Sequence, residues 1–454
     1  MAKALRDVIE IKNGSVSVKD RQAVRDIMDS LINEAVFEAD DEKRKARFIL
    51  IKEVAKACGA IPASIQGLYE EMGRGKYSGF TVPAINIRGL TYDVAKVIFR
   101  KAMQMNVGAM IFEIARSEIG YTKQRPVEYS TVVLAAAGKE GFQGPVFIQG
   151  DHFQFVRKNY LSDADAETKY IKGLVAEAVD AEFYNIDIDA STLVDLSKGT
   201  IKEQQLPNYT VTVDMTSHIR SLEPKGITVS VGGEIGEIGG KNSTVEEMRE
   251  FLGGFRETLN KNLTGLSKIS VQSGTTHGGV VLPDGTLAKV KIDFETLRSL
   301  SEAARKEFGL SGAVQHGAST LPEEAFHTFP ETGTSEVHLA TGFQNIIYDN
   351  PSLPPAFKTE IYEYLNKECA KEKKEGQTEE QFIYSVRKKG FGPFKKKWWD
   401  LPSEAKAPIM AELESRFALL FDRLKVGNTK DAVGKSVKAI CVQKELNDNV
   451  RRLL

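Results

Sequence analysis

The stretch Pro145-Val146-Phe147-Ile148-Gln149-Gly150-Asp151-His152 joins a short β-rich run to a polar tail. Seven further runs repeat this pattern at a fairly steady interval: Phe80 to Ile87, Ala109 to Ile114, Phe183 to Ile188, Ile227 to Val231, Lys268 to Val271, Gly312 to Gln315 and Glu336 to Leu339. Helix-like stretches separate them, among them Thr91 to Met105, Pro126 to Lys139, Asp163 to Val179, Thr244 to Leu259 and Phe294 to Phe308. Eight alternations of strand and helix over about 270 residues predict an α/β fold, a (β/α)8 TIM barrel. A doubly wound sheet competes with that reading, because periodicity does not show whether the sheet closes.

Outward from the barrel, boundaries near 75 and 350 divide the chain into an N-terminal helical extension (1–75), a catalytic barrel (76–350) and a C-terminal helical extension (351–454). Asp20 to Ala57 carries helix-period apolar positions among dense charge and leads to Gly73-Arg74-Gly75-Lys76, which lacks the GxxxxGK[ST] order of a phosphate loop. Asp349-Asn350-Pro351-Ser352-Leu353-Pro354-Pro355 is a stop signal. Beyond it, amphipathic patches at Phe357 to Cys369, Glu379 to Arg387 and Ser403 to Leu424 predict helices that pack on the barrel or on a neighbouring subunit.

Composition narrows the function. Of the 454 residues, 61 are Lys or Arg and 62 are Asp or Glu, so no excess of basic charge is available for phosphates along a duplex. General nucleic-acid binding is excluded. The longest apolar stretches, such as Val132 to Ala137, fall far short of the roughly 20 residues that cross a bilayer, and the charged N-terminus lacks a signal's apolar core. A cytoplasmic protein without a membrane partner is expected. Cys58, Cys369 and Cys441 are too far apart for a CxxC site and read as reduced, buried thiols.

In a TIM barrel the active-site residues stand at the carboxyl ends of the strands. The polar residues comply. The third run ends in Gly150-Asp151-His152, the fifth in Gly232-Gly233-Glu234, the sixth in Ser273 to Gly279 with His277, and the seventh in His316-Gly317-Ala318-Ser319. Three of the six histidines thus fall just past a predicted strand, which suits a catalytic zinc with three protein ligands and one open position. The plainer alternative is a set of hydrogen-bonded structural or substrate-binding histidines. His218 reads as structural and His327 as a surface or helix position, while His338 faces either the barrel interior or the helices.

At these residues the sequence resembles the class II, metal-dependent fructose-bisphosphate aldolases and their tagatose-bisphosphate relatives, from about Phe80 to Tyr348. The matching segments are Ala84 to Ile87, Gln149 to His152, Ile188 to Ser191, Gly233 to Gly240, Gly274 to Gly278 and His316 to Glu323. The resemblance implies that His152, His277 and His316 ligate one Zn2+ ion, with Glu234 near it or at an alternative metal position. It implies that Asp151 exchanges a proton with the substrate's C4 hydroxyl. Asn86, Gly278, Gly317, Ser319 and Thr341 match substrate- and phosphate-binding positions. A homo-oligomer acting on a sugar phosphate in carbohydrate metabolism and glycolysis follows on the same grounds. The chemistry agrees, since cleaving the C3–C4 bond of a ketose phosphate leaves negative charge that a Lewis acid stabilises.

The chain also departs from that family. Lys241-Asn242 stands where an acidic pair is usual, leaving Glu237, Glu246 or Glu247 as substitutes, and His338-Leu339-Ala340-Thr341 replaces an Asn-x-Asp-Thr segment. Phe112 to Thr122 is similar instead to the larger, non-catalytic subunit of tagatose-bisphosphate aldolase. Three alternatives stand beside a metal-dependent aldolase: a class II-like barrel acting on another sugar phosphate, a barrel with a Schiff-base lysine, Lys289 or Lys291, and a non-catalytic barrel subunit of a tagatose-bisphosphate aldolase complex.

Overall fold

The structure is a computed structural model that describes residues 2–12, 14–236, 240–274, 282, 292–446 and 448–453. Eight parallel strands form its centre: β1 (Val82–Asn86), β2 (Ile111–Ala115), β3 (Gly144–Gln154), β4 (Asn185–Asp189), β5 (Ser230–Glu234), β6 (Lys268–Val271), β7 (Ala313–Gln315) and β8 (Glu336–Leu339). Each pairs with the next, and β8 pairs with β1, so the sheet closes. The doubly wound alternative falls at this closure. All eight strands correspond to the runs predicted from sequence.

These strands are covered on both faces, which is why their apolar residues come in near-continuous runs. The exceptions point inward: Glu113, Asp187, Lys268 and Glu336 are charged yet buried. Helices follow the strands with ordinary end signals. Thr244 and Glu247 form a reciprocal cap for helix Val245–Thr258, Pro126 opens helix Pro126–Glu140, and Gly141 and Gly309 end their helices in left-handed backbone at φ 77° and 69°.

The terminal segments pack onto this barrel. Helices Arg21–Val36 and Asp41–Ala57 lie against helix Pro126–Glu140, where Arg25 Nε donates to the Lys139 carbonyl at 2.8 Å. An antiparallel hairpin, Ile9–Lys12 with Ser15–Val18, precedes them, and Ala60–Ala63 pairs in parallel with the start of β3. Sequence reading found neither, because such four-residue strands carry too little periodicity. Helix Gln66–Gly73 sends Tyr69 into the barrel, where its hydroxyl donates to Glu336.

The C-terminal patches are helices Pro355–Glu368, Glu379–Val386 and Ser403–Arg423. Trp398 is buried there with its ring 4.8 Å from Phe357, 5.2 Å from Phe391 and 5.3 Å from Tyr348. Cys58 and Cys369 are buried free thiols, but Cys441 is exposed, which corrects the expectation for it; it lies in a segment without regular structure that buries few side chains. Among the described residues no helix is long and apolar enough to cross a membrane.

Candidate active site

The barrel mouth opens into a cavity of about 550 Å³. Its lining includes Asn86, Asp151, His152, His316, Gly317, Ser319 and Thr341, so seven residues singled out from sequence meet in one space. Glu234 joins them, with Oε2 3.4 Å from His316 Nε2. His277 and Gly278 lie outside the described residues, as do Glu237, Lys289 and Lys291.

Local backbone explains how adjacent Asp151 and His152 both serve this mouth. In a regular strand, neighbouring side chains point to opposite faces. Here the pairing of β3 with β4 slips between Gly150 and Phe153, and His152 takes a left-handed φ of 40°. Such a conformation is costly for a residue with a side chain and persists only where the surroundings enforce it. Gly150 is part of the device, since a Cβ there would come within 2.5 Å of the Phe153 ring.

Asp189 lies 3.1 Å from His152 Nδ1 and accepts from Gln154 Nε2 at 2.6 Å and from the Ser191 hydroxyl at 2.6 Å. Holding one ring nitrogen in this way orients the other, as a carboxylate does behind a metal-binding imidazole. The ring of His316 lies 4.1 Å from that of His152 and 4.0 Å from that of His338. Asp151, His152 and His316 present ligand atoms all within 4.8 Å of one another, so the donor set suits a divalent ion that prefers nitrogen and oxygen.

Beneath these residues is a second layer that sequence reading did not assemble. His338 points inward, resolving its two-way expectation: Nδ1 lies 3.0 Å from Glu113 Oε2 and 3.2 Å from Asp151 Oδ1, and Nε2 lies 2.6 Å from Glu336 Oε1. Lys268 donates to Glu336 at 2.5 Å, to Gln149 at 2.8 Å and to Asp187 at 2.9 Å. Burial, then the charge of Asp151, pushes the Glu113 carboxyl up to about 7. Burial also lifts Asp187 to about 6 despite Lys268. Burial opposes ionisation of Glu336 too, but Lys268 and His338 outweigh it and hold that carboxyl well below the usual range. For His152 and His338 burial disfavours the charge, yet the surrounding carboxylates raise both well above an ordinary imidazole. The available signal was a charged residue at an inward position of an otherwise apolar strand, as in Ile111-Phe112-Glu113-Ile114-Ala115.

The loop departures have physical settings. Lys241 pairs with Glu247 at 3.0 Å, and Asn242 Nδ2 donates to Asp293 at 3.2 Å. Glu247 also accepts from the Thr244 N–H at 2.8 Å, so its carboxylate is already engaged as a helix cap, and Glu246 is exposed. Away from the mouth, His218 lies 3.2 Å from the Lys172 carbonyl and His327 is exposed, as expected.

Fold and site define a TIM barrel with an imidazole and carboxylate centre at its strand ends. The class-II fructose-bisphosphate aldolase family model matches residues 68–388, and the chain belongs to that family. No curated protein matches the chain. Among solved structures, a fructuronate-tagaturonate epimerase from Cohnella laeviribosi is 11% identical with a TM-score of 0.61, covering 92% of this chain and 93% of that one. A probable tagatose 6 phosphate kinase from Sinorhizobium meliloti is 13% identical with a TM-score of 0.52, covering 82% and 97%. A putative fructose-1,6-bisphosphate aldolase from Coccidioides immitis is 17% identical with a TM-score of 0.45, covering 80% and 97%.

Proposed function

We propose that this protein is a divalent-metal-dependent aldolase that cleaves a phosphorylated ketose, of the fructose- or tagatose-bisphosphate kind, into a triose phosphate and an aldehyde. The observation that carries the reading is the approach of Asp151, His152 and His316 at the mouth of a barrel of the class-II aldolase family. His152 and His316, with His277 and Glu234, would hold a zinc ion. When bound, zinc supplies a Lewis acid for the negative charge that develops on the ketose oxygen. Asp151 takes the proton of the C4 hydroxyl as the C3–C4 bond breaks, and the buried His338 at 3.2 Å holds its carboxylate in place. Asn86, Gly317, Ser319 and Thr341 bind the substrate from the cavity wall. The active protein is a cytoplasmic homo-oligomer in this reading.

The test is triose-phosphate release from fructose and tagatose bisphosphates, with zinc-loaded and chelator-stripped protein assayed side by side. Cleavage only with metal is expected. Equal rates in both preparations, or no cleavage of either sugar by the zinc-loaded chain, would overturn the reading. The replacement of the Asn-x-Asp-Thr segment by His338-Leu339-Ala340-Thr341 favours a second reading, in which the same bond breaks and re-forms to epimerise a ketose. An altered sugar without free triose would distinguish it.

A further inference from the structure

One wall of the cavity comes from outside the barrel. Lys388 lines it from the turn Arg387–Gly390 in the C-terminal segment. That turn is firmly held against helix Thr341–Asp349. The Arg387 guanidinium donates to Asp349 at 2.6 and 3.0 Å and to Asn345 at 2.6 Å, while the Tyr348 hydroxyl donates to the Arg387 carbonyl at 2.7 Å. Gly390 sits so close that a Cβ there would come within 2.7 Å of the same hydroxyl. On the barrel side, a Cβ on Gly89 would strike the Phe391 ring at 2.1 Å. The position of Lys388 relative to the mouth is therefore set by close packing on two sides.

Among the described residues, three arginine or lysine side chains line this cavity, and two of them have carboxylate partners. Arg88 pairs with Glu118 at 2.7 Å, and Arg116 pairs with Glu167 at 2.5 Å. The half-buried ammonium of Lys388 makes no hydrogen bond or ion pair among the described residues; its ring neighbour is Tyr121, 5.9 Å away. Burial, followed by the like charge of Arg88, presses it below an ordinary lysine. The charges of Glu118 and Glu372 pull the other way without outweighing these, so an arriving anion finds a half-buried cation that is not fully compensated. Arg88 extends the same wall to the proposed substrate positions, with its guanidinium 3.1 Å from Gln344 and 3.4 Å from the Thr341 hydroxyl.

We propose that Lys388, together with Arg88, forms an anion subsite that receives a terminal phosphate or carboxylate of the substrate, so that the C-terminal segment completes the active-site mouth. Assigning that anion to a substrate rests on the cavity being the substrate site, as proposed above; the anion binding itself does not require turnover.

The test is calorimetric titration of the full metal-loaded chain at low ionic strength with inorganic phosphate and, separately, with acetate. Wild type is compared with Lys388→Met, Lys388→Gln, Lys388→Arg and Lys389→Met, the last removing a charge that pairs with Glu372 instead. The expected result is phosphate binding that weakens about tenfold or more in the Met and Gln variants and survives in the Arg and Lys389→Met variants. Acetate binding with the same dependence and no phosphate binding would make the anion a carboxylate. Two neutral variants guard against one that misfolds, with circular dichroism checking each. Unchanged anion affinity in both neutral variants, an equal loss in Lys389→Met, or no binding by wild type would overturn the proposal. A chain that cleaves no ketose yet loses phosphate in Lys388→Met would overturn the aldolase reading and leave this one standing.

Discussion

Two of the buried charge clusters among the described residues are built on opposite plans. Beneath helix Asp41–Ala57, Lys52 pairs with Glu182 at 2.6 Å, while Lys56 pairs with Glu182 at 2.9 Å and with Glu53 at 2.5 Å. Lys56 donates further to the Val442 carbonyl, and Glu53 accepts from the Lys444 N–H. Two ammonium groups meet two carboxylates, and none of the four lines the cavity at the barrel mouth. In the barrel, Glu113, Asp151, Asp187 and Glu336 surround one ammonium, Lys268, and one imidazole, His338. That cluster opens into the cavity through Glu113, Asp151 and His338. Buried charge by itself marks neither function nor stability. An excess of one sign, held next to a space, is what distinguishes a site that awaits a cation from one that ties segments together.

The comparison breaks most clearly if the two clusters fail to separate activity from stability. Asp151→Asn should lower the rate of triose-phosphate release by about 10²- to 10⁴-fold, while leaving the unfolding free energy unchanged or higher, because it removes one carboxylate from an excess. Glu182→Gln should do the reverse. It strands the buried Lys52 ammonium and leaves Lys56 with Glu53 alone, costing about 3–5 kcal/mol in denaturant unfolding, with the rate per folded molecule unaltered. A loss of turnover in the second variant, or of stability in the first, would show that the division is false.

Much of this contrast was legible in the sequence, but unevenly. The eight strands showed because each is a run of buried residues bounded by turns. The mouth residues showed because Asp151, His152, Glu234 and His316 follow directly on those runs. Lys268, Glu336 and His338 did not, since their meaning depends on barrel closure, which brings β8 beside β1 and across from β4. Lys388 was hidden for a related reason: it lies far along the chain in a charged segment, and only the packing of Phe391 on Gly89 carries it to the mouth. The Lys52 and Glu182 network joins residues 130 apart in number, and nothing in either local pattern announces the other.

A smaller effect sharpens the comparison through pH. The folded state holds protons on Glu113, at about 7, and on Asp187, at about 6, more tightly than the unfolded chain does. The stabilisation from those protons is fully present below the ordinary carboxylate range and is lost as pH rises through 6 and 7. Metal-stripped protein should therefore lose on the order of 1–3 kcal/mol between pH 5 and 8, as measured by urea unfolding. Glu182 works the other way: burial opposes its ionisation, but Lys52 and Lys56 hold its carboxyl below the ordinary range. Its contribution is lost only as pH falls below that range, so it adds no slope between pH 5 and 8. Asp187 and the raised imidazoles of His152 and His338 contribute in the same direction, so Glu113→Gln should flatten the curve in part, and an unchanged slope in that variant would remove Glu113 as a source.

The smallest effect lies at the rim of the balanced cluster and tests whether burial sets the scale. Lys444 Nζ pairs with Asp180 at 2.6 Å, a distance equal to that between Lys52 and Glu182, but the Asp180 side chain is 81% exposed. Water already solvates that carboxylate, and ordering a long lysine side chain offsets part of the Coulomb gain. Asp180→Ala should thus cost no more than about 1 kcal/mol, and half-molar salt should erase the difference from wild type. Exchanging Glu182 for glutamine leaves Lys52 desolvated without a counter-charge and Lys56 with Glu53 alone, and salt does not reach them. If the Asp180 variant instead lost as much as the Glu182 variant, contact distance and not desolvation would govern both pairs, and the contrast with the barrel mouth would need a different physical basis.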